Sequence, residues 1–227
     1  MSRALVLEVT EVASVPLVPE LRLHLLMPAS PLWHATPEEA AARGLVMPYW
    51  AVAWPGGQAL ARWVLDHPSV VEGQRVLDVG CGGAIEGLAA ARAGARSVLC
   101  ADVDPLAVEA VRLNGALNGL PTRADGRGPG CELEAWWGDP LERAPATFVC
   151  DVVLVGDVTF DEAITARLVP WLRANAELGR TVLVGDAGRV SLPDDFVALG
   201  THAAPYDGNP VGSTDWIVTV REVRGHR

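Results

Sequence analysis

The chain has 227 residues, 50% of them hydrophobic and 20% charged, which suits one globular domain with a sizeable core and room for a small elaboration. A net charge of −10 sets nucleic acid and anionic membrane aside as primary partners and mildly favours a cationic substrate, and no apolar run reaches the ~18 residues a membrane helix needs. All 18 basic residues are arginines, which excludes Schiff-base lysine chemistry and a P-loop lysine together.

In chain order, Met1-Ser2-Arg3-Ala4 runs straight into a strand-like stretch and has no signal-peptide pattern, so the cytoplasm is the expected compartment. Leu5–Ala13 and Leu21–Leu26 read as strands around a turn at Pro16 and Pro19, forming a hairpin or an added edge. Pro37–Arg43 reads as a helix capped by Thr36, with Glu38 and Glu39 in its first turn. Residues 1–47 are thus expected to pack as an extension on a domain of residues 48–227.

After Tyr49 the pattern becomes regular. Pro55–Asp66 is a predicted helix stopped by Pro68, followed by a buried strand, Arg75–Val79. Helix Ile85–Ala93 ends at Gly94, and Ser97–Ala101 is the next strand. Asp104-Pro105 opens a helix through Leu117, and Pro121–Gly130 reads as a surface loop. Leu133–Trp137 and Phe148–Val155 are strands, and Asp161–Ala176 is a helix that Pro170 should kink. Strand Thr181–Val184 precedes Val197–Tyr206 and Trp216–Val220, which have no strong helix between them and should pair as an antiparallel edge hairpin. The expected fold is therefore α/β: a Rossmann-like, seven-stranded, mostly parallel sheet with helices on both faces and an N-terminal β extension. Its antiparallel ending is the methyltransferase version rather than that of a dinucleotide dehydrogenase.

Cys81, Cys100, Cys131 and Cys150 show no C-x-x-C pair and no histidine at ligand spacing, so no metal site is expected. The chemical signal is Val76-Leu77-Asp78-Val79-Gly80-Cys81-Gly82-Gly83, a buried strand running into a glycine-rich turn and a helix. Glycines there permit positive φ and close approach of backbone to a ligand. Asp102 ends the next strand about 20 residues on, where a carboxylate can accept from two ribose hydroxyls. Asp104, directly before Pro105, already holds the better capping position.

A dinucleotide site requires G-x-G-x-x-G facing a pyrophosphate. Here the third glycine is replaced by Ile85, and Glu86 would place a carboxylate beside the phosphates. A sulfonium cofactor has no phosphate and tolerates nearby acids, so S-adenosylmethionine is the expected ligand. Asp78 can take part around its amino-acid end. Gly138-Asp139 closes the third strand at the adenine position, with Trp136 or Trp137 as an apolar wall and the other in the core. Gly156-Asp157 closes the fourth strand, where the methyl acceptor should lie.

These residues resemble the electron-transfer-flavoprotein β-subunit lysine methyltransferase family, including bacterial relatives described as nicotinamide N-methylase-like. The likeness begins at Val15-Pro16-Leu17-Val18-Pro19-Glu20-Leu21-Arg22-Leu23-His24-Leu25 and continues through Pro48-Tyr49-Trp50-Ala51-Val52-Ala53-Trp54-Pro55-Gly56-Gly57-Gln58-Ala59-Leu60. Ala101-Asp102-Val103-Asp104-Pro105, Asn114, Asn118, Gly156-Asp157-Val158-Thr159-Phe160 and Val184-Gly185-Asp186-Ala187-Gly188-Arg189 also fit. The resemblance implies a cofactor pocket of Trp54, Gln58, Asp78, Gly80, Cys81, Gly82, Asp102, Val103, Gly138, Asp139 and Asp157. It implies that Asp157 lies between sulfonium and acceptor amine, and that Thr159 and Phe160 shape the acceptor site. Ala84 departs from the usual last glycine of the loop, Glu86 and Gly87 are unusual at the helix start, and Thr159 and Ala187 differ from the common residues.

The leading expectation is an N-methyltransferase acting on a protein lysine. The alternatives are a small-molecule amine as acceptor and a catalytically silent cofactor-binding module. A nucleic-acid amino methyltransferase fits less well, because the fourth strand ends in Gly-Asp-Val-Thr-Phe and not in the Asn/Asp-Pro-Pro-aromatic turn used for a flipped base.

Overall fold

A computed structural model describes residues 3–33, 35–42, 47–120, 131–205 and 215–225. Seven strands form one sheet in the spatial order β5 (Glu132–Trp137), β4 (Ser97–Asp102), β3 (Arg75–Val79), β6 (Val152–Gly156), β7 (Thr181–Asp186), β9 (Trp216–Glu222), β8 (Val197–Ala204). The first five are parallel, and β9 pairs antiparallel with both β7 and β8, giving the expected edge hairpin. Strand order reverses between β3 and β6, which places a crevice at their carboxyl ends.

Strand periodicity explains the layers. Along β6, Val152 and Leu154 face one apolar cluster while Val153 and Val155 face the other, as expected of a central strand covered on both sides. The first face is covered by α3 (Pro55–Asp66) and α4 (Ile85–Arg92), the second by α6 (Glu162–Glu177). Helix α5 (Pro105–Leu117) starts where Asp104 accepts from Leu106 N–H at 2.8 Å.

Several sequence expectations need correction. Leu5–Val9 is not a strand: Arg3–Val9 forms α1, followed by a hairpin of β1 (Glu11–Val15) and β2 (Val18–Leu25). Leu5, Val6 and Val9 share one helical face against Leu106, Ala110 and Leu113 of α5, and a short apolar run does not disclose which period it will adopt. Phe148–Asp151 also lies outside its strand. Arg180 takes the Phe148 carbonyl at 2.6 Å and that of Pro145 at 2.9 Å, so the backbone at Phe148 is diverted from the ladder, while Asp151 still donates to Arg75 O and accepts from Thr181 N–H. Helix α6 runs on through Pro170; Pro170 and Ala166 are both exposed, so the carbonyl that loses its partner faces water. Helix α2 (Pro37–Ala42) has the Thr36 cap, with Thr36 and Glu39 exchanging side-chain-to-backbone hydrogen bonds at 3.2 and 2.8 Å. Arg43, the Pro121–Gly130 loop and Tyr206 lie outside the described residues. Among the described residues no helix is long and apolar enough to cross a membrane.

The hairpin is fastened to the domain by two asparagines of α5. Asn114 accepts from His24 N–H at 2.8 Å and donates to Gly83 O at 2.9 Å. Asn118 accepts from Arg22 N–H at 3.1 Å and donates to Arg22 O at 2.7 Å. Residues four apart on a helix rise about 6 Å, close to the roughly 7 Å between alternate residues of a strand, so the two amides match successive outward positions of β2. They occupy the edge that β1 leaves open. Asn114→Ala would strand the His24 N–H and the Gly83 carbonyl, and should lower unfolding free energy by about 2–4 kcal/mol, seen as an earlier urea midpoint at unchanged slope.

Candidate functional site

The site is built around the strand-order reversal from the ends of β3, β4, β5, β6 and β7. After β3 the chain turns through Gly80 (φ 66°) and Gly82 (φ 49°), both in the left-handed region that glycine enters without cost. A Cβ on Gly80 would stand 2.7 Å from the Val158 side chain, so the turn also needs glycine for space. Ala84 takes the same left-handed region (φ 64°) at the N-cap of α4, which is the departure from glycine seen in the sequence. Cys81 is buried in this turn, and burial pushes its thiol well up.

Asp102, at the end of β4, grips the glycine loop. It accepts from Gly82 N–H and from Asp104 N–H, each at 2.8 Å, and burial lifts its carboxyl above the ordinary range. A carboxylate has about four lone-pair positions, so capacity for a ribose remains. Val103 beside it is exposed, and its carbonyl accepts from Trp137 Nε1 at 3.0 Å. Trp136 packs against Phe148 at 5.8 Å between centroids, leaving Trp137 as the exposed one of the pair. Gly138 N–H donates to Asp102 O at 2.9 Å. Asp139 accepts from Leu141 N–H and pairs with Arg167, each at 2.8 Å, so both its oxygens already have partners.

On the other side of the reversal stands Asp157, buried and with φ at 57°. Its oxygens take the Gly56 N–H at the start of α3 and the Arg189 guanidinium. Burial raises its carboxyl, and Arg189 opposes that shift. The Arg189 guanidinium lies over Trp54 at 5.5 Å and Trp216 at 4.9 Å, and Trp54 Nε1 donates to Tyr49 O at 2.9 Å. Thr159 is buried and donates to Asp186 at 3.0 Å, whereas Phe160 is exposed. Gln58 stands apart from the rest. Its amide accepts from Leu17 N–H at 3.2 Å and donates to Ala53 O at 2.7 Å and Pro205 O at 3.0 Å, so it ties three backbone segments together.

Two acids lie deeper. Asp78 is completely buried: Oδ2 accepts from Gly87 N–H at 2.9 Å and Oδ1 has no partner among the described residues. Burial, then the charge of Glu86, pushes its carboxyl well up. Glu86, on the first turn of α4, is pushed up to about 7 by burial and by Asp157. Its carboxyl lies over Gly57 and Gly156, where any Cβ would meet it. Glu86, Arg189 and Asp186 were not among the expected site residues. Arg189 is 32 residues from Asp157 in sequence, and the only signal for it and Asp186 was their place in the Val184–Arg189 stretch that carries the family resemblance.

The chain is similar to the electron transfer flavoprotein beta subunit lysine methyltransferase of Xenopus laevis, 40% identical over 82% of this chain and 70% of that one. The corresponding human protein is 38% identical over 82% of this chain and 66% of its own length. The chain belongs to the electron transfer flavoprotein β-subunit lysine methyltransferase family. A family model described as ribosomal protein L11 methyltransferase (PrmA) also matches residues 60–127. A solved putative RNA methyltransferase from Pyrococcus horikoshii shares the fold, with a TM-score of 0.55, 16% identity, and coverage of 78% of this chain and 89% of that one. The protein is a methyltransferase, and S-adenosylmethionine is its methyl donor. The residues present fit that donor: a glycine-rich loop turning through left-handed Gly80 and Gly82, a ribose-height carboxylate, and a fully buried acid with an oxygen unpartnered among the described residues.

The buried Glu86 makes folding pH-dependent. Between the ordinary glutamate value of 4.5 and about 7, the native state keeps a proton that the unfolded chain releases, so this group's contribution falls as pH rises. Glu86→Gln has no proton to lose. Its unfolding free energy relative to wild type should rise by about 3 kcal/mol from acid to roughly pH 8, read from urea curves across that range.

Proposed function

We propose that the protein transfers methyl groups from S-adenosylmethionine to a lysine side chain of a protein resembling the electron transfer flavoprotein β subunit. The observation that carries the protein-substrate reading is the rim of the crevice. Tyr49 (57% exposed), Val103 (63%), Trp137 (65%) and Phe160 (55%) are large apolar side chains left in water on the segments that bound the site. Exposed aromatic residues around a polar depression suit a macromolecular surface better than a free metabolite. The names of the relatives support the same acceptor.

Bound S-adenosylmethionine supplies an electrophilic methyl group on a sulfonium. The chain's own residues then position the acceptor and accommodate charge, since methyl transfer is an in-line displacement at carbon. Asp102 holds the ribose, with Gly80, Cys81 and Gly82 forming the cradle and Val103, Gly138 and Asp139 flanking the adenine. Trp54 walls the site from the N-terminal side, and Gln58 serves by bracing the loop before α3. Asp157 retains lone pairs beyond those given to Gly56 and Arg189, and it directs the amine by its hydrogens while stabilising the cation that forms. Thr159 fixes the Asp157–Phe160 turn through Asp186, and Phe160 borders the lysine stem. Residues 1–47 act as an extension that braces the domain of residues 48–227 through Asn114 and Asn118.

Purified electron transfer flavoprotein and a panel of small amines, offered side by side with labelled donor, test the acceptor. Label on flavoprotein lysine is expected. Fast methylation of a small amine with the flavoprotein mass unchanged would replace this reading with a small-molecule enzyme. For Asp157→Asn, turnover should fall at least about 100-fold while donor affinity changes by less than about threefold. Equal losses in both would make Asp157 a cofactor ligand alone.

A further inference from the structure

The deep wall of the crevice has an unanswered demand for positive charge. Glu86 is 5% exposed, and its carboxyl accepts from its own backbone N–H. It is held by absence of side chains: a Cβ on Gly57 would stand 2.9 Å from Oε1, and one on Gly156 would overlap it. Independently, the fully buried Asp78 leaves Oδ1 with no partner among the described residues. The ionisable groups facing this wall are Asp78 from β3, Cys81 from the glycine loop, Cys100 and Asp102 from β4, Asp157 after β6, and Asp186 and Arg189 from the end of β7 onward. Helix α3 contributes only glycine backbone at this point. Arg189 is committed to Asp157, so the wall presents acceptors that call for a cationic donor with several hydrogens.

We propose that Glu86 is a cofactor-binding residue whose carboxylate, seated over Gly57 and Gly156, accepts from the α-ammonium of the methyl donor's amino-acid end, with Asp78 Oδ1 as a second acceptor. This rests on assigning the glycine-loop crevice to S-adenosylmethionine. The acceptor lysine is the less suitable partner, because it enters from the exposed rim of Trp137 and Phe160 while Glu86 lies at the buried junction of α3, α4 and β6. Since burial and Asp157 hold the free carboxyl at about 7, docking a cation against it releases the Glu86 proton to solvent, and the ammonium keeps all of its own.

Titration calorimetry in buffers of different ionisation heat, at about pH 6.5, tests this with S-adenosylhomocysteine and its analogue lacking the α-amino group. Wild type should release a proton on binding S-adenosylhomocysteine and none on binding the analogue. Glu86→Gln should weaken S-adenosylhomocysteine roughly tenfold or more, abolish the proton release, and leave the analogue within about twofold. The wild-type comparison needs no variant, so a folding defect cannot mask the answer. Tight binding without proton release, equal release with both ligands, or equal weakening of both by Glu86→Gln would overturn the assignment of Glu86 alone. Failure of wild type to bind S-adenosylhomocysteine at all would overturn the cofactor assignment and this inference with it.

Discussion

Five carboxyl groups, those of Asp78, Glu86, Asp102, Asp157 and Asp186, converge on the carboxyl ends of the central strands, and the rest of the site is arranged around tolerating them. Burying a carboxylate without compensation costs several kcal/mol, so the fold must bring donors to it or keep it protonated. Both solutions are visible. Backbone N–H groups of Gly56, Gly82, Gly87 and Gly188 reach Asp157, Asp102, Asp78 and Asp186, and Arg189 answers Asp157 directly. Burial still raises the carboxyls of Asp102 and Asp157, and it raises Asp78 and Glu86, which have fewer donors, as well.

That arrangement dictates close backbone approach. Gly56 and Gly185 face each other where α3 meets β7, and neither could carry a Cβ without striking the other's carbonyl. The contact lets the start of α3 deliver the Gly56 N–H to Asp157, from a position where a helix has donors without partners of their own. A crevice of this character, acidic in its depth and aromatic at its mouth, suits a donor that is cationic at its reacting end and an acceptor that becomes cationic as it reacts.

The N-terminal hairpin belongs to the same construction. Asn114 touches both β2 and the carbonyl of Gly83, so the amide that holds the extension also holds the glycine loop. Gln58 makes a parallel link from the hairpin turn at Leu17 to the loop before α3 and to Pro205. Loop shape and extension docking are therefore coupled through two buried amides.

Much of the architecture was legible in the chain itself. Alternating strands and helices, the glycine turn after Val79, Asp102 about 20 residues on, and the Asp104-Pro105 helix start are local signals, each set by backbone sterics or by short-range hydrogen bonding. The antiparallel edge was readable because no helix pattern separates the last two strands. Local signals failed where a distant partner decides. Leu5–Val9 became helical because α5 offers it a helical groove, and Phe148 left the ladder because Arg180 takes its carbonyl. Gln58, expected in the cofactor pocket, ties Leu17, Ala53 and Pro205 together, and Glu86, expected only as an unusual acid at the helix start, is buried. The sequence by itself determined which residues can turn, cap and alternate, because those properties belong to a few neighbouring residues. Only the tertiary structure decided which carboxyls are buried together and which cation answers them, because burial and charge pairing arise between segments such as Asp157 and Arg189 that the chain holds 32 residues apart.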